Sequence, residues 1–427
     1  MNIIKKEKIF YGWFIVLAGI IITAAGIGVF NSANSVSVKP ICDELNLSRG
    51  EFTLHRTIIT LVGAFLMPLY GKIIKTHGVK KMFLISTISL TLVTIGYSFA
   101  AQLWHFYVIA AINGIFVNGL NFMTVGIMVS QWFDDKKGFA MGLSYCGSGI
   151  GSAIMVPIVG QMIEQVGWRW SYRGIALIAA LILIPTVLFI VKERPETMGL
   201  KPYIDKNKSA EELLKEQNAF AGITFKQALR TPTFWMLAVS FLLISICAGG
   251  PNTHTVPYLT DIGYTTAFAA SVLSLTMIAL TVGKVILGFI FDRFGTLSGS
   301  LFVAICCLGY PLLAMAALNP AAPWAYAVLL GLASCGFSVP VMVLITKYFG
   351  SKDTATLFSV CSMITTFGTS ASVPLMGIIY DISGSYKWAW IMLFTFAVII
   401  TICLIGANVT SRKIIAKYQV IESEELK

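Results

Sequence analysis

Long continuous apolar runs, separated by short polar connections, set the pattern of this chain. They fall near residues 10–35, 52–71, 82–101, 106–131, 139–162 and 172–191, and resume near 233–257, 266–291, 299–318, 323–347, 355–380 and 387–410. A helix needs about 20 apolar residues to cross a hydrocarbon core of roughly 30 Å. A membrane strand would instead alternate apolar and polar positions in segments of about ten. The pattern therefore predicts an all-α integral membrane protein of twelve transmembrane helices, spans one to twelve in chain order. The one long polar stretch, 192–230, divides them six and six. Within it SAEELLKEQ (Ser209 to Gln217) predicts a short surface helix, and the rest a tether. The organisation expected is a six-helix bundle over 1–191, a central loop over 192–230, a second bundle over 231–410 and a tail over 411–427.

The two halves repeat each other. PIVGQMIEQVG (Pro157 to Gly167) and PLMGIIYDISG (Pro374 to Gly384) share Pro, Gly at +3, an acid at +7 and Gly at +10, displaced by 217 residues. Gly71 and Gly78 match Gly288 and Gly295 at the same displacement, as Gly151 matches Gly368. Three landmarks at one offset imply duplication of a six-helix unit. Parallel repeats with a site between them are a secondary-transporter architecture.

Composition agrees with the pattern. Of the 427 residues, 56% are hydrophobic and 12% charged, with a mean hydropathy of +0.80. Soluble domains carry about twice that share of charge, so a soluble enzyme, a disordered chain and a nucleic-acid-binding domain are excluded. The net charge of +11 is a matter of sidedness. Of the 31 lysines and arginines, 24 fall on the side of the N-terminus and central loop, six on the other, and Lys284 within a span. By the positive-inside rule both termini are cytoplasmic, and the first apolar run is too long for a signal peptide. Seven cysteines lie in apolar runs as small fillers, and only Cys42 falls in a loop-like stretch, so no disulfide framework is expected. No P-loop is present, no Cys/His group has zinc spacing, and the four histidines are scattered. No cofactor, metal, nucleic-acid partner or enzymatic activity is expected, and the chain is expected to be a monomer in the bilayer.

Lys284 is the most informative residue. It precedes Asp292 by eight positions, about 12 Å along a helix, and so lies near the middle of the core. A buried cation usually lines a pathway or finds a partner; the alternative is a lysine snorkelling to the headgroups. Arg56, at the start of span two beside His55, either offers a carboxylate a bidentate fork or sits at the outer interface. His254, in GGPNTHTVPYL of span seven, either meets substrate or a proton, or is hydrogen-bonded between helices. Asn31 and Asn34 share one face of span one. Asn118, Asn121, Tyr145, Ser359, Ser362 and Thr366 are further candidates, for cavity lining or for helix–helix hydrogen bonds. No Asp or Glu lies deep in any span; Glu51, Glu164, Asp261, Asp381 and Asp292 all fall at ends. Proton pumps and carriers of cations need such carboxylates. An interior of cations, amides, hydroxyls and a histidine suits a small organic anion.

The loop Gly288, Asp292, Arg293, Gly295 resembles the inner-loop signature of the major facilitator superfamily; its first copy, Gly71 to Gly78, has Lys75 where that family usually has Asp. YGWFIVLAG (Tyr11 to Gly19), QWFDDKKGFAMGL (Gln131 to Leu143), HTVPYLTDIG (His254 to Gly263) and YDISGSYKWAW (Tyr380 to Trp390) are similar to the monocarboxylate-porter and oxalate–formate antiporter branch. The resemblance implies the major facilitator fold and movement of small organic anions by proton symport or anion exchange. It also implies that Lys284 stands where the porters bind substrate carboxylate. The family's acid one turn earlier is replaced by Leu280, and its lysine in span one by Ser32. Symport would then need a proton on His254, His55 or Lys284, whereas exchange needs none. The other reading open to such a chain is an exporter of amphipathic or hydrophobic compounds.

Overall fold

The structure, a computed structural model, describes residues 10–30, 37–47, 49–204, 222–309, 311–316 and 319–425. Among them nine helices are long and apolar enough to cross a bilayer, or ten when Ala322–Phe337 and Val339–Phe349, bent by 44°, are taken as one span. Two of the long helices contain a turn. Lys137–Pro185 breaks at Gly167 and Thr266–Cys307 breaks at Gly295, with φ of 78° and 82°. A side chain disfavours that left-handed region, which is why glycine holds these corners. Phe65, Leu92, Phe189 and Ile402 are 63% to 74% exposed, a surface that lipid solvates and water does not.

The repeat has a physical cause in these corners and contacts. Gly78 (φ 84°) and Gly295 (φ 82°) make the same tight turn after spans two and eight, and Gly167 and Gly384 both have positive φ after spans five and eleven. Gly151 lies against Ala24 of span one, and Gly368 against Leu242 and Ser245 of span seven, each too close for a side chain. Spans four and ten break alike. A 3-10 turn at Val117–Leu120 precedes the helix Phe122–Trp132, and one at Cys335–Phe337 precedes Val339–Phe349. Each of these second helices has 11 residues, displaced by 217. Irregular backbone is tolerated at membrane depth only where protein or a water-filled cavity covers it.

Three expectations change. The central loop is not a plain tether, because both its ends are docked. Tyr203 donates its N–H to the Trp132 carbonyl at 2.9 Å and accepts from Asp134 and Asp135, and Ile223 donates to the Phe349 carbonyl at 3.0 Å. Phe133 pairs with Tyr203, and Gly222 with Gly350; Phe133 and Gly350 are repeat-equivalent. Ser209 to Gln217 lies outside the described residues. The tail is not separate from span twelve, since the helix Lys387–Glu425 runs through it. Cys42 lies in a helix, Val38–Leu45, and is buried.

Candidate functional site

A cavity of about 1170 Å³ lies between the two halves, and residues of spans one, two, three, four, five, eight, ten and eleven line it. Lys284 stands at its floor, 2% exposed. Although it belongs to span eight, its ammonium is held by the other half. It donates to Ser148 Oγ at 2.9 Å and to the Tyr145 carbonyl at 3.2 Å, and lies 4.8 Å from the Phe122 ring centroid. Spans five and eight can bring these groups together because glycine lies between them. Gly142 abuts the Lys284 carbonyl and Gly149 abuts Thr281, with no room for a Cβ at either. Among the described residues no ion pair involves Lys284 or Arg56, no Asp, Glu or His lines the cavity, and its charged groups are two cations.

Of the predicted residues, Lys284, Arg56, Asn118, Asn121, Ser362 and Thr366 all line this cavity. Arg56 is exposed, which places it on the cavity side of span two. Asn118 donates to the Gly63 carbonyl at 2.6 Å, and Asn121 accepts from the Phe122 N–H at 2.7 Å. Both amides thereby stabilise the break in span four. Asn31 and Asn34 lie outside the described residues.

Four candidates are elsewhere. His254 spends both ring nitrogens on neighbours, Tyr386 Oη at 3.0 Å and the Val373 carbonyl at 3.1 Å. His55 is buried among Phe52, Tyr97 and Phe106, with Nδ1 on the Phe52 carbonyl. Tyr145 turns its hydroxyl to the Phe122 carbonyl and offers Lys284 only its backbone. Ser359 packs on Gly71 below the cavity. The reason is common to all four: a helix buries polar side chains wherever a neighbour supplies a partner. His254→Ala should therefore lower thermal stability by about 1–2 kcal/mol, from two lost hydrogen bonds. Apparent substrate affinity should stay within about twofold. A loss of affinity beyond tenfold, with unchanged stability, would return His254 to the site.

The residues that sequence reading missed are Ser148 and Phe122, which hold Lys284, and Asp353 on the face carrying the central loop. On that face the halves are closed together. Asp292 accepts from Gly138 N at 2.9 Å and Phe139 N at 2.7 Å, the positive end of span five. At the repeat-equivalent position Lys75 donates to Asp353 Oδ1 at 2.6 Å, just before span eleven, while Asp353 Oδ2 accepts from Phe225 N. The second contact is thus a charge-inverted version of the first. Burial pushes the Asp353 carboxyl up, but the hydrogen bonds from Lys75 and Phe225 and the Lys75 charge outweigh it and hold the group below its ordinary value. That contribution is present above the ordinary value and is lost as pH falls through the lowered one. Lys75 is largely exposed, so the pair is worth at most about 1 kcal/mol. Lys75→Asp and Asp353→Lys are each expected to slow turnover by up to about fivefold, and the double exchange to recover part of it relative to Asp353→Lys alone, since a lysine at 353 restores the ion pair but not the bond from Phe225 N. Failure of the double variant to recover would refute the pairing.

The sequence profile of the Major Facilitator Superfamily matches residues 16–330. Monocarboxylate transporter 12 of Xenopus laevis is 25% identical over 324 residues, covering 72% of this chain and 69% of that protein. The MFS-type transporter pynF of Aspergillus niger is 22% identical over 310 residues, 71% of this chain and 66%, just under two thirds, of that protein. The fold is similar to that of the E. coli fucose:proton symporter FucP, with a TM-score of 0.68 at 16% identity, covering 92% of this chain and 98% of that one. Apolar helices that cross a bilayer, a duplicated architecture with a cavity between its halves and a profile spanning most of the sequence agree: the chain belongs to the major facilitator superfamily, and it is a membrane transporter and not an enzyme.

Proposed function

We propose that this transporter carries small organic anions of the monocarboxylate type by alternating access, with the substrate carboxylate received by Lys284. The observation that carries the reading is a buried ammonium at the floor of the cavity whose partners are all neutral. A bare cation at that depth is unfavourable, and an anion beside it relieves the cost, so the loaded carrier crosses its occluded state more easily. Arg56, higher in the same cavity, attracts the anion on entry. Asn118 and Asn121 line the same floor and steady it.

Anion exchange is the coupling that this chemistry favours. A symporter needs a group in its path that takes up and returns a proton; among the described residues neither carboxylate nor imidazole lines the cavity, so that role would fall to Lys284, which would then give up the charge that receives the substrate. An exchanger needs only the two cations. The protein is proposed to act as a monomer in the cell membrane with both termini cytoplasmic, as the 24-to-six distribution of lysine and arginine favours.

The test is uptake of labelled carboxylates into proteoliposomes, with an inward proton gradient or with an unlabelled anion inside. Uptake that requires internal anion is the expected result. Uptake driven by the proton gradient alone would replace exchange by symport. If no carboxylate moves and hydrophobic cations do, the protein is an exporter of amphipathic compounds.

A further inference from the structure

The cavity above Lys284 has two unlike walls. Spans five and eight present mainly apolar groups, among them Ile150, Val156, Pro157, Met277, Ile278 and Val282, with Ser152, Ser274 and Thr281 between them. Five of these are bulky groups between 41% and 61% exposed, so they are not packed away behind the lining: Ile150, Val156, Met277, Ile278 and Val282. Spans two and eleven face them mainly with Arg56, Thr60, Ser362, Thr365, Thr366 and Thr369, and with only Ile59, Met67 and Phe358 as bulky apolar groups. On span eight the apolar groups follow helical spacing, with Ile278 and Val282 one turn apart and Lys284 just below them.

The two sides also differ in how they close. Phe65 and Phe367 meet edge to face at 5.3 Å between spans two and eleven. Between spans five and eight Gly149 packs directly on Thr281 instead. A hydrophilic anion of two or three carbons would be held by Lys284 and would leave the apolar wall wetted. Wetted apolar surface is unfavourable in proportion to its area.

From this asymmetry we infer that the substrates are amphipathic monocarboxylates, with an apolar chain or ring lying on the wall of spans five and eight and the carboxylate at Lys284. The inference rests on the carboxylate reading above and adds the nature of the rest of the molecule. The hydroxyl-bearing wall on the other side stays hydrated beside the bound chain, because its hydroxyls already donate to backbone carbonyls of their own helices, as Thr366 does to Ser362 at 2.8 Å. It therefore imposes no directional demand on the substrate body. Arg56 meets the carboxylate first, and the chain follows it along the apolar wall.

The experiment uses the full-length protein in proteoliposomes. Straight-chain carboxylates from acetate to octanoate compete against labelled butyrate, and alkylamines of matched length control for partition into the bilayer. Apparent affinity is expected to rise about threefold per methylene until the wall is covered. The volume-conserving Val282→Thr and the shorter Ile278→Thr should each lower the octanoate-to-acetate affinity ratio about tenfold, and Val282→Thr is the variant least disturbing to packing. Carboxylates that compete with no dependence on length, or with affinity falling as length grows, would overturn the inference while leaving the carboxylate function standing. Alkylamines that compete as well as the acids would overturn it too, since the wall would then act without Lys284. If no carboxylate of any length competes or is carried, the carboxylate function itself falls, and this inference with it.

Discussion

Lys284→Gln is expected to lower carboxylate uptake by about one to two orders of magnitude while leaving the protein folded. A hydrogen bond to a charged group is worth about 1.5–3 kcal/mol, so the transport efficiency should fall by roughly ten- to a hundredfold. The folding side of the prediction separates function from structure. In the empty protein the Lys284 ammonium has only a hydroxyl, a carbonyl and a ring as partners. A glutamine amide is one bond shorter and need not reach both Ser148 Oγ and the Tyr145 carbonyl, but it carries no charge to desolvate. Thermal stability without substrate should therefore be equal or higher in the variant. Stabilisation by carboxylate should vanish with the charge, whereas a saturating ligand at a hundred times its Kd gives the wild type about 2.7 kcal/mol. Lys284→Arg keeps the charge and should recover part of the uptake. Uptake in Lys284→Gln equal to wild type would refute the site.

Gly288→Ala should trap the carrier with its central-loop face open. The backbone of Gly288 lies directly on that of Gly138 across the two halves, and a Cβ there would overlap the Gly138 carbonyl. The reciprocal change is nearly as tight, since a Cβ on Gly138 would lie 2.7 Å from the Gly288 carbonyl. Backbone cannot turn aside as a flexible side chain does, so the added methyl costs about 1–3 kcal/mol, the usual range for overpacking. That cost falls only on the state in which this face is closed. It shifts the populations about five- to 150-fold towards the open one. Turnover should drop by at least about tenfold, and a cysteine placed at Ala355, opposite Gly71 on the same face, should label correspondingly faster. Folding should be little affected, because the contact is between the halves and not within either. Unchanged labelling with unchanged turnover would show that the halves do not need this contact.

Much of the fold is legible in the chain because its solvent is lipid. Hydropathy averaged over a helix length decides whether a segment lies in the bilayer, and backbone hydrogen bonding leaves it no choice but a helix. The duplication is legible because glycine is favoured where φ is positive and required where two backbones touch. Gly78, Gly151 and Gly167 meet such needs in one half, and Gly295, Gly368 and Gly384 in the other. The cationic lining of the cavity is legible too, since Lys284 lies near mid-depth and no Asp or Glu lies deep in any span.

Which polar side chains would share the cavity is another matter. A helix of the right length and composition has no fixed rotation about its axis until its neighbours are in place. His254 and Lys284 look alike as sequence, each a titratable residue in an apolar run. Tyr386 and the Val373 carbonyl claim the first, and the junction of spans five and eight directs the second to the cavity floor. Ser148 gains its role only because Gly142 and Gly149 let span five approach Lys284. Asp353 meets Lys75 across 278 positions of chain, a pairing that no local pattern encodes. The sequence by itself determined the membrane, the helices, the repeat and the sign of the charge within. Tertiary packing alone decided which faces turn inward and which partners the buried polar groups take, because those choices minimise unpaired polar atoms over the whole bundle and not along any one helix.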